Sequence, residues 1–323
     1  MFAPGEPTGV PLVSVIVPTY NSRATLRCAL ESIRRQDCTD FEVWVVGDGC
    51  TDGSGEVVAA LKDPRFRWVN RATNSGSSSP GYREGLRRAR GRYVAYLGHD
   101  DLWFPWHLSS VLEQAVSDGA PFVHALCALL GPDGWVEVAG PPEAGASYRG
   151  HFVPPSSWLH ERTLSERVGG WCDADALIRA VDMDLFQRIT ASGSRISCSP
   201  RLSVLKWPSA WWRAYADDAP RPQIAVAAAL AHDPQELAER ILNECALSLS
   251  RRTWRGRVLT VRGEWRTAAS HAWAGARMAV RDLTQPDGRP RWPLAPLLRW
   301  RFQRIRRRMR VKRGLAFPSS DSK

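Results

Sequence analysis

The sequence has no apolar run approaching the roughly 18 to 20 residues that a bilayer-spanning helix needs. Nothing before Pro11 joins a basic start to an apolar core, so no secretory leader is expected either. The seven cysteines are scattered at positions 28, 38, 50, 127, 172, 198 and 245, with no CxxC pair among them. That pattern disfavours a disulfide framework or a zinc site and suits buried thiols in a reducing compartment, which places the protein in the cytoplasm. Acid is scarce relative to base. There are 33 Asp and Glu residues against 44 Lys and Arg, a formal charge of +11, so an anionic partner is expected: a nucleotide diphosphate, an anionic membrane surface or a nucleic acid. Disorder and collagen-like repeats are disfavoured by an ordinary globular balance of 44% hydrophobic and 24% charged residues. Tryptophan is plentiful at 15 copies, most of which should line the core or a groove.

What is present has the rhythm of alternating strands and helices. Val13 to Val17 is an almost wholly apolar, β-branched run ending at Pro18, as expected of a strand covered on both faces. Asn21 or Ser22 can cap a following helix whose Leu26, Leu30 and Ile33 recur on one face. A second strand, Phe41 to Val46, stops at the turn-rich segment from Gly47 to Gly53. A third, Phe66 to Val69, leads into a Ser/Gly/Pro loop from Asn74 to Gly81. A basic helix from about Tyr82 to Arg90 is then closed by Gly91, in the place a left-handed cap prefers. Tyr93 to Leu97 is a fourth strand running into Gly98-His99-Asp100-Asp101. This alternation predicts an α/β fold with a mostly parallel sheet. Ligands of such sheets bind beyond the carboxyl ends of the strands, and here those ends carry Pro18-Thr19-Tyr20-Asn21, Asp48 and Asp100-Asp101.

Downstream, Phe122 to Leu130 and Trp135 to Ala139 flank Gly131-Pro132-Asp133-Gly134 as a hairpin, and a Pro-rich loop from Pro141 to Pro155 follows. From about Ala225 the text turns Ala-rich and helical, with a boundary placed near Asp217 to Pro222. This divides the chain into a first domain over 1–218 and a helical, basic extension over 219–323. Between Arg291 and Arg313 stand ten Lys or Arg and no acid, while Leu298, Phe302, Ile305 and Met309 share one helical face. Such a helix suits the interface of an anionic membrane, on the inner face of the cell membrane; a solvated tail is the alternative.

Ser14-Val15-Ile16-Val17-Pro18-Thr19-Tyr20-Asn21, Gly47-Asp48-Gly49-Cys50-Thr51-Asp52, Asn74-Ser75-Gly76 and Leu97-Gly98-His99-Asp100-Asp101-Leu102-Trp103 resemble, in order and spacing, the successive motifs of family 2 glycosyltransferases. The resemblance covers roughly the first 215 residues. It implies a Rossmann-like GT-A fold, a nucleotide-diphospho-sugar donor, a sugar or lipid-linked acceptor, a divalent metal (Mn2+ or Mg2+) and usually inversion at the anomeric carbon, in polysaccharide or glycolipid synthesis. It carries over donor contacts to Pro18, Thr19, Tyr20, Asn21, Asp48, Asn74 and Arg83, metal ligation to Asp100 and Asp101, and the general base to Asp182 in Val181-Asp182-Met183-Asp184-Leu185-Phe186-Gln187-Arg188. A hydroxyl is a poor nucleophile at neutral pH, so a carboxylate must take its proton. A leaving diphosphate gathers negative charge, which a hard cation on carboxylate oxygens would offset. Structural readings stand beside these: Asp100 or Asp101 capping a helix near Pro105, Asp48 as a turn residue, Asp182 as a helix cap paired with Arg188.

The chain departs from the family pattern at Gly47, Gly98 and Val181, each in place of an acid, and at Tyr82-Arg83, where an Arg-Asn pair is common. His99 could join a metal shell, although a lone His is more often simply hydrogen-bonded. The missing acids leave open a catalytically idle nucleotide-binding relative that serves as a scaffold or regulator. A nucleic-acid-binding protein lacks its recognisable module here, and a sugar nucleotidyltransferase would show a Gly-rich phosphate loop after the first strand.

Overall fold

The computed structural model describes residues 9–132, 134–140, 148, 153–177, 179–208 and 221–260, with side chains up to 251. The basic stripe from Arg291 to Arg313 lies outside the described residues, as do Asp217 and most of the expected boundary around it.

Strand β1 (Val13–Thr19) is buried along its whole length because both faces of the sheet are covered. It pairs in parallel with β2 (Phe41–Gly47) on one side and with β4 (Tyr93–Tyr96) on the other, and β3 (Phe66–Asn70) extends the parallel run beyond β2. Helices α1 (Arg23–Arg34), α2 (Ser54–Ala60) and α3 (Ser79–Arg88) are the connections, and Leu26, Leu30 and Ile33 are the buried face of α1 as the periodicity requires.

Past β4 the chain adds a two-residue strand β5 (Leu102–Trp103), helix α4 (His107–Asp118), the hairpin β6 (Phe122–Gly131) and β7 (Gly134–Ala139), and β8 (Trp158–Glu161). Then come α5 (Arg162–Arg167), α6 (Val181–Ala191) and β9 (Ile196–Lys206). The strand order is β3-β2-β1-β4-β8-β6-β9-β5, with β7 beside β6. β8 is antiparallel to both β4 and β6, whereas β9 runs parallel to β6, so the parallel first half is joined to a mixed half.

Two local expectations are corrected. Gly91 does not sit in a left-handed cap: α3 ends at Ala89 in an extended conformation. Gly91 is small because a Cβ there would lie 2.6 Å from the Ser14 backbone nitrogen. Nor does Asn21 or Ser22 cap α1 with its side chain; Asp52, brought over by the loop after β2, accepts from the Arg23 backbone N–H at 2.8 Å. Asn21, at φ 40°, instead accepts from the Thr51 N–H, tying the β1 tip to that same loop.

Helices α7 (Gln223–His232) and α8 (Pro234–Thr260) follow. They share a core with the sheet: Leu230, Leu237, Ile241 and Cys245 pack with Leu102, Phe104, Leu205 and Trp207. The extension is therefore built onto the first domain at least as far as Cys245. Among the described residues no helix is long and apolar enough to cross a membrane.

Candidate active site

The carboxyl ends of β1, β2 and β4 open into one cleft, lined by Pro18, Thr19, Tyr20, Asp48, Ser77, Ser78, Gly81 and His99. Two glycines let the α3 helix approach it. A Cβ on Gly85 would fall 2.3 Å from Ile16, and one on Gly81 would fall 2.8 Å from Pro18. The loop before α3 is thereby pressed against the β1 tip.

Asp48 is buried, and both carboxylate oxygens are engaged. Arg71, the residue after β3, pairs with Oδ1, and Ser75 donates its N–H (2.9 Å) and hydroxyl (2.8 Å) to Oδ2. Sequence reasoning missed Arg71 and Ser75; a charged residue directly after a parallel strand was the available signal. Asn74 accepts from Gly76 N–H at 2.8 Å, and its buried Nδ2, like the Thr19 hydroxyl, has no partner among the described residues. Buried donors of that kind ask for a ligand or a water. Arg83 pairs with Asp173 at 2.6 Å and, with Arg71 and Arg87, lines a surface hollow that meets the cleft through the Arg71–Asp48 pair.

The acidic pair after β4 is split. Asp101 is wholly buried: its Oδ2 accepts from Ser156 Oγ (2.5 Å) and Lys206 Nζ (2.8 Å), and its Oδ1 from Trp207 N–H (3.2 Å). With both oxygens taken by the protein, Asp101 is an anchor of the turn, and the expectation that it stands beside Asp100 as a metal ligand does not match this geometry. Asp100 is part-exposed and receives no side-chain hydrogen bond among the described residues. Burial, and then the charge of Asp101, push its carboxyl above the ordinary value. Neither residue caps a helix, since α4 begins at His107 after Trp106. His99 Nδ1 lies 3.3 Å from the Pro18 carbonyl.

Asp182 lies in the first turn of α6, where its Oδ1 accepts from Met183 N–H at 2.8 Å. Arg188 pairs with Asp184 and bonds the Val168 and Gly170 carbonyls, so the expected pair with Arg188 is made by Asp184, not Asp182, and no side chain caps α6. Burial raises the Asp182 carboxyl above its ordinary value, opposed in part by Lys206. Tyr82 is stacked on Trp171 at 4.1 Å, and burial raises its hydroxyl well above the ordinary value, helped by the charges of Asp182, Asp101 and Asp100.

The missing acids are filled positions. A Cβ on Gly47 would meet Asn70 Oδ1 and Trp68 at 2.5 Å, and one on Gly98 would lie 2.8 Å from Asp101 Oδ2. An acidic side chain at either place would need the surrounding residues to move.

Residues 14–129 match the model for glycosyl transferase family 2. Over this segment the sequence is that of glycosyltransferase family 2. The succinoglycan biosynthesis protein ExoO of Rhizobium meliloti is 38% identical over 111 residues, 34% of this chain and 32% of that one. The chain matches about half or less of the length of the curated relatives it resembles. Among solved structures, TarS residues 1–349 of S. aureus in complex with UDP superposes with a TM-score of 0.53 at 19% identity, covering 95% of this chain and 93% of that one. The mannosyltransferase PcManGT of Pyrobaculum calidifontis, in complex with GDP-Man and Mn2+, gives 0.53 at 22% identity, covering 86% and 88%. Both share the GT-A fold with this family 2 domain.

Proposed function

We propose that the protein transfers a sugar from a nucleotide-diphospho-sugar to an acceptor hydroxyl, with inversion, in the synthesis of a polysaccharide or glycolipid. The observation that carries this reading is the cleft at the β1 tip, which gathers Tyr20, Asp48 and His99 from three strand ends, with Asp100 next to His99 on the β4 turn. The pyrimidine or purine ring would lie along Tyr20, with Asp48 and Arg71 offering an acceptor and a donor to its polar edge. Asp182 would take the proton of the acceptor hydroxyl while its oxygen attacks the anomeric carbon. The bond to the diphosphate breaks on the opposite side, and the electron pair leaves with the diphosphate. The raised pKa brings Asp182 closer to neutrality, which suits a base.

Among the described residues, no group of three His, Cys, Asp or Glu side chains could enclose an ion. One open carboxylate, Asp100, still fits Mg2+ or Mn2+, since these take one or two carboxylates and complete their shell with phosphate oxygens and water. When bound, such an ion would offset the charge gathering on the leaving diphosphate. The complex of PcManGT with GDP-Man and Mn2+ supports this reading.

A screen of sugar nucleotides by thermal shift, with and without MnCl2, tests the proposal: selective stabilisation by one donor is expected, and none by any donor would overturn it. The idle-relative reading is favoured by Gly47, Gly98 and Val181, and it predicts stabilisation with no transfer to any acceptor. The basic stripe at 291–313 supports a lipid-linked acceptor and a site on an anionic membrane surface; pelleting with anionic liposomes should be lost when residues 299–313 are deleted.

A further inference from the structure

Lys206 ends β9, the strand that brings the later half of the chain to the cleft. Its side chain is 17% exposed, and its ammonium pairs with Asp101 Oδ2 at 2.8 Å. Burial works against that charge, but Asp101 and Asp100 more than offset it and hold the group charged. Asp101 already has neutral donors in Ser156 and the Trp207 N–H. A buried ion pair is often no more stabilising than an apolar one of the same size, so anchoring alone is a weak reason for a lysine here.

The ammonium carries three N–H donors. Asp101 takes one, and no other hydrogen bond to it is made among the described residues. The pairing with Asp101 ties it to the β4 turn, whose neighbouring Asp100 is the carboxylate open to a metal and whose Gly98 brings no acid to recruit a cation. Its charge also favours the ionised forms of Asp100 and Asp182.

We infer that Lys206 is a donor-site residue whose free ammonium protons pair with the diphosphate of the bound nucleotide, supplying a fixed positive charge alongside the metal. The inference rests on the nucleotide-diphospho-sugar reading above and names a residue that reading does not need. A preorganised cation where negative charge develops is an effective electrostatic device, because it needs no rearrangement as the bond breaks.

Calorimetric binding of UDP and GDP, each against its nucleoside uridine or guanosine, in EDTA and in MnCl2, tests the inference. In EDTA, Lys206→Met should weaken the preferred nucleoside diphosphate by about tenfold or more while leaving the nucleoside unchanged, and Lys206→Arg should retain most of the affinity. Mn2+ should narrow the difference. Asp101→Asn, which releases the ammonium from its partner, should bind the diphosphate at least as well as the wild type. A Lys206→Met protein that binds the diphosphate with wild-type affinity overturns the inference. So does equal weakening of diphosphate and nucleoside by Lys206→Met and Asp101→Asn, the signature of a mere anchor. Should Lys206→Met not fold, the Asp101→Asn/Lys206→Met pair removes both charges together; it should show the same selective loss, and wild-type diphosphate binding by it is again fatal. A wild-type protein that binds neither diphosphate fails differently, removing the donor reading itself and this assignment with it.

Discussion

Mild acid should destabilise this fold through two histidines before the paired carboxylates begin to titrate. His107, in the first turn of α4, is wholly buried: Nδ1 meets Ser203 Oγ at 2.8 Å, the ring stacks on Trp103 at 4.2 Å, and Nε2 has no partner among the described residues. His160, in β8, is equally buried, with Nε2 2.9 Å from the Tyr96 hydroxyl and Nδ1 2.8 Å from the Glu161 carbonyl. Burial lowers their pKa values from 6.5 to about 3 and about 4. A depressed folded-state value means the neutral form is favoured in the native protein. The stabilisation is complete above about pH 6.5 and is lost as pH falls towards 4 and below. Each histidine contributes a slope of about 1.4 kcal/mol per pH unit, so the pair gives roughly 2.7 kcal/mol per unit between about pH 6 and 4.5. Set against a typical domain stability of about 5–15 kcal/mol, that is a large fraction. Asp100 and Asp182 act in the opposite sense, because their raised pKa values make the charged forms a penalty that eases on acidification. Glu42, Asp63 and Glu84 are lowered, and they lose their contribution only below the usual carboxylate range. Urea unfolding followed by tryptophan fluorescence from pH 7.5 to 4.5 measures the net slope. His107→Gln and His160→Gln should each flatten it by about one proton. Wild-type slopes in both variants would refute the assignment of acid sensitivity to these rings.

Gly85→Ala should lower stability by about 1–3 kcal/mol, because its methyl would enter the space of Ile16; thermal melts should show partial recovery when Ile16→Val is added. Asp182→Asn should cut transfer by about a hundredfold or more while donor binding stays near normal in the same preparation; equal loss of both would contradict its role as base. The acid limb of the transfer rate should also lie above the ordinary Asp value, since the base works only when ionised and burial holds its pKa up. Asp48→Ala strips Arg71 and Ser75 of a shared acceptor and should weaken nucleoside binding itself, read by calorimetry with uridine and guanosine.

The parallel half was legible because its strands are buried on both faces: the apolar runs at Val13, Phe41 and Tyr93 can be read without knowing their neighbours. The convergence of three strand tips followed from that topology, and the hairpin of β6 and β7 from its turn residues. The mixed half was not legible. Trp158-Leu159-His160-Glu161 is four residues after a Pro-rich loop, and it is a strand only because β4 and β6 leave a slot between them. Capping failed for a related reason, since the acceptor for Arg23 is Asp52 from another loop, and local rules see local partners. The expectation that most tryptophans are core residues matches the burial of Trp103, Trp158, Trp171 and Trp207.

The division of labour between Asp100 and Asp101 shows where sequence reading reaches its limit. Two adjacent aspartates at a strand tip are equivalent in the text, and either could have faced the cleft. What separates them is the later chain. Ser156 accepts from Gly98 N–H at 3.1 Å and donates to Asp101 at 2.5 Å, and its carbonyl takes the Trp103 indole N–H at 2.7 Å. Lys206 and Trp207 close the other side, and Gln223 from α7 reaches the Asp100 carbonyl at 3.3 Å. With the Asp101 carboxylate held by three donors and the Asp100 carbonyl by Gln223, the turn is fixed and leaves the Asp100 carboxylate as its open one. The open position of Asp100 is therefore set by residues 55 to 123 places further along the chain, none of which lies in the segment that identifies the family.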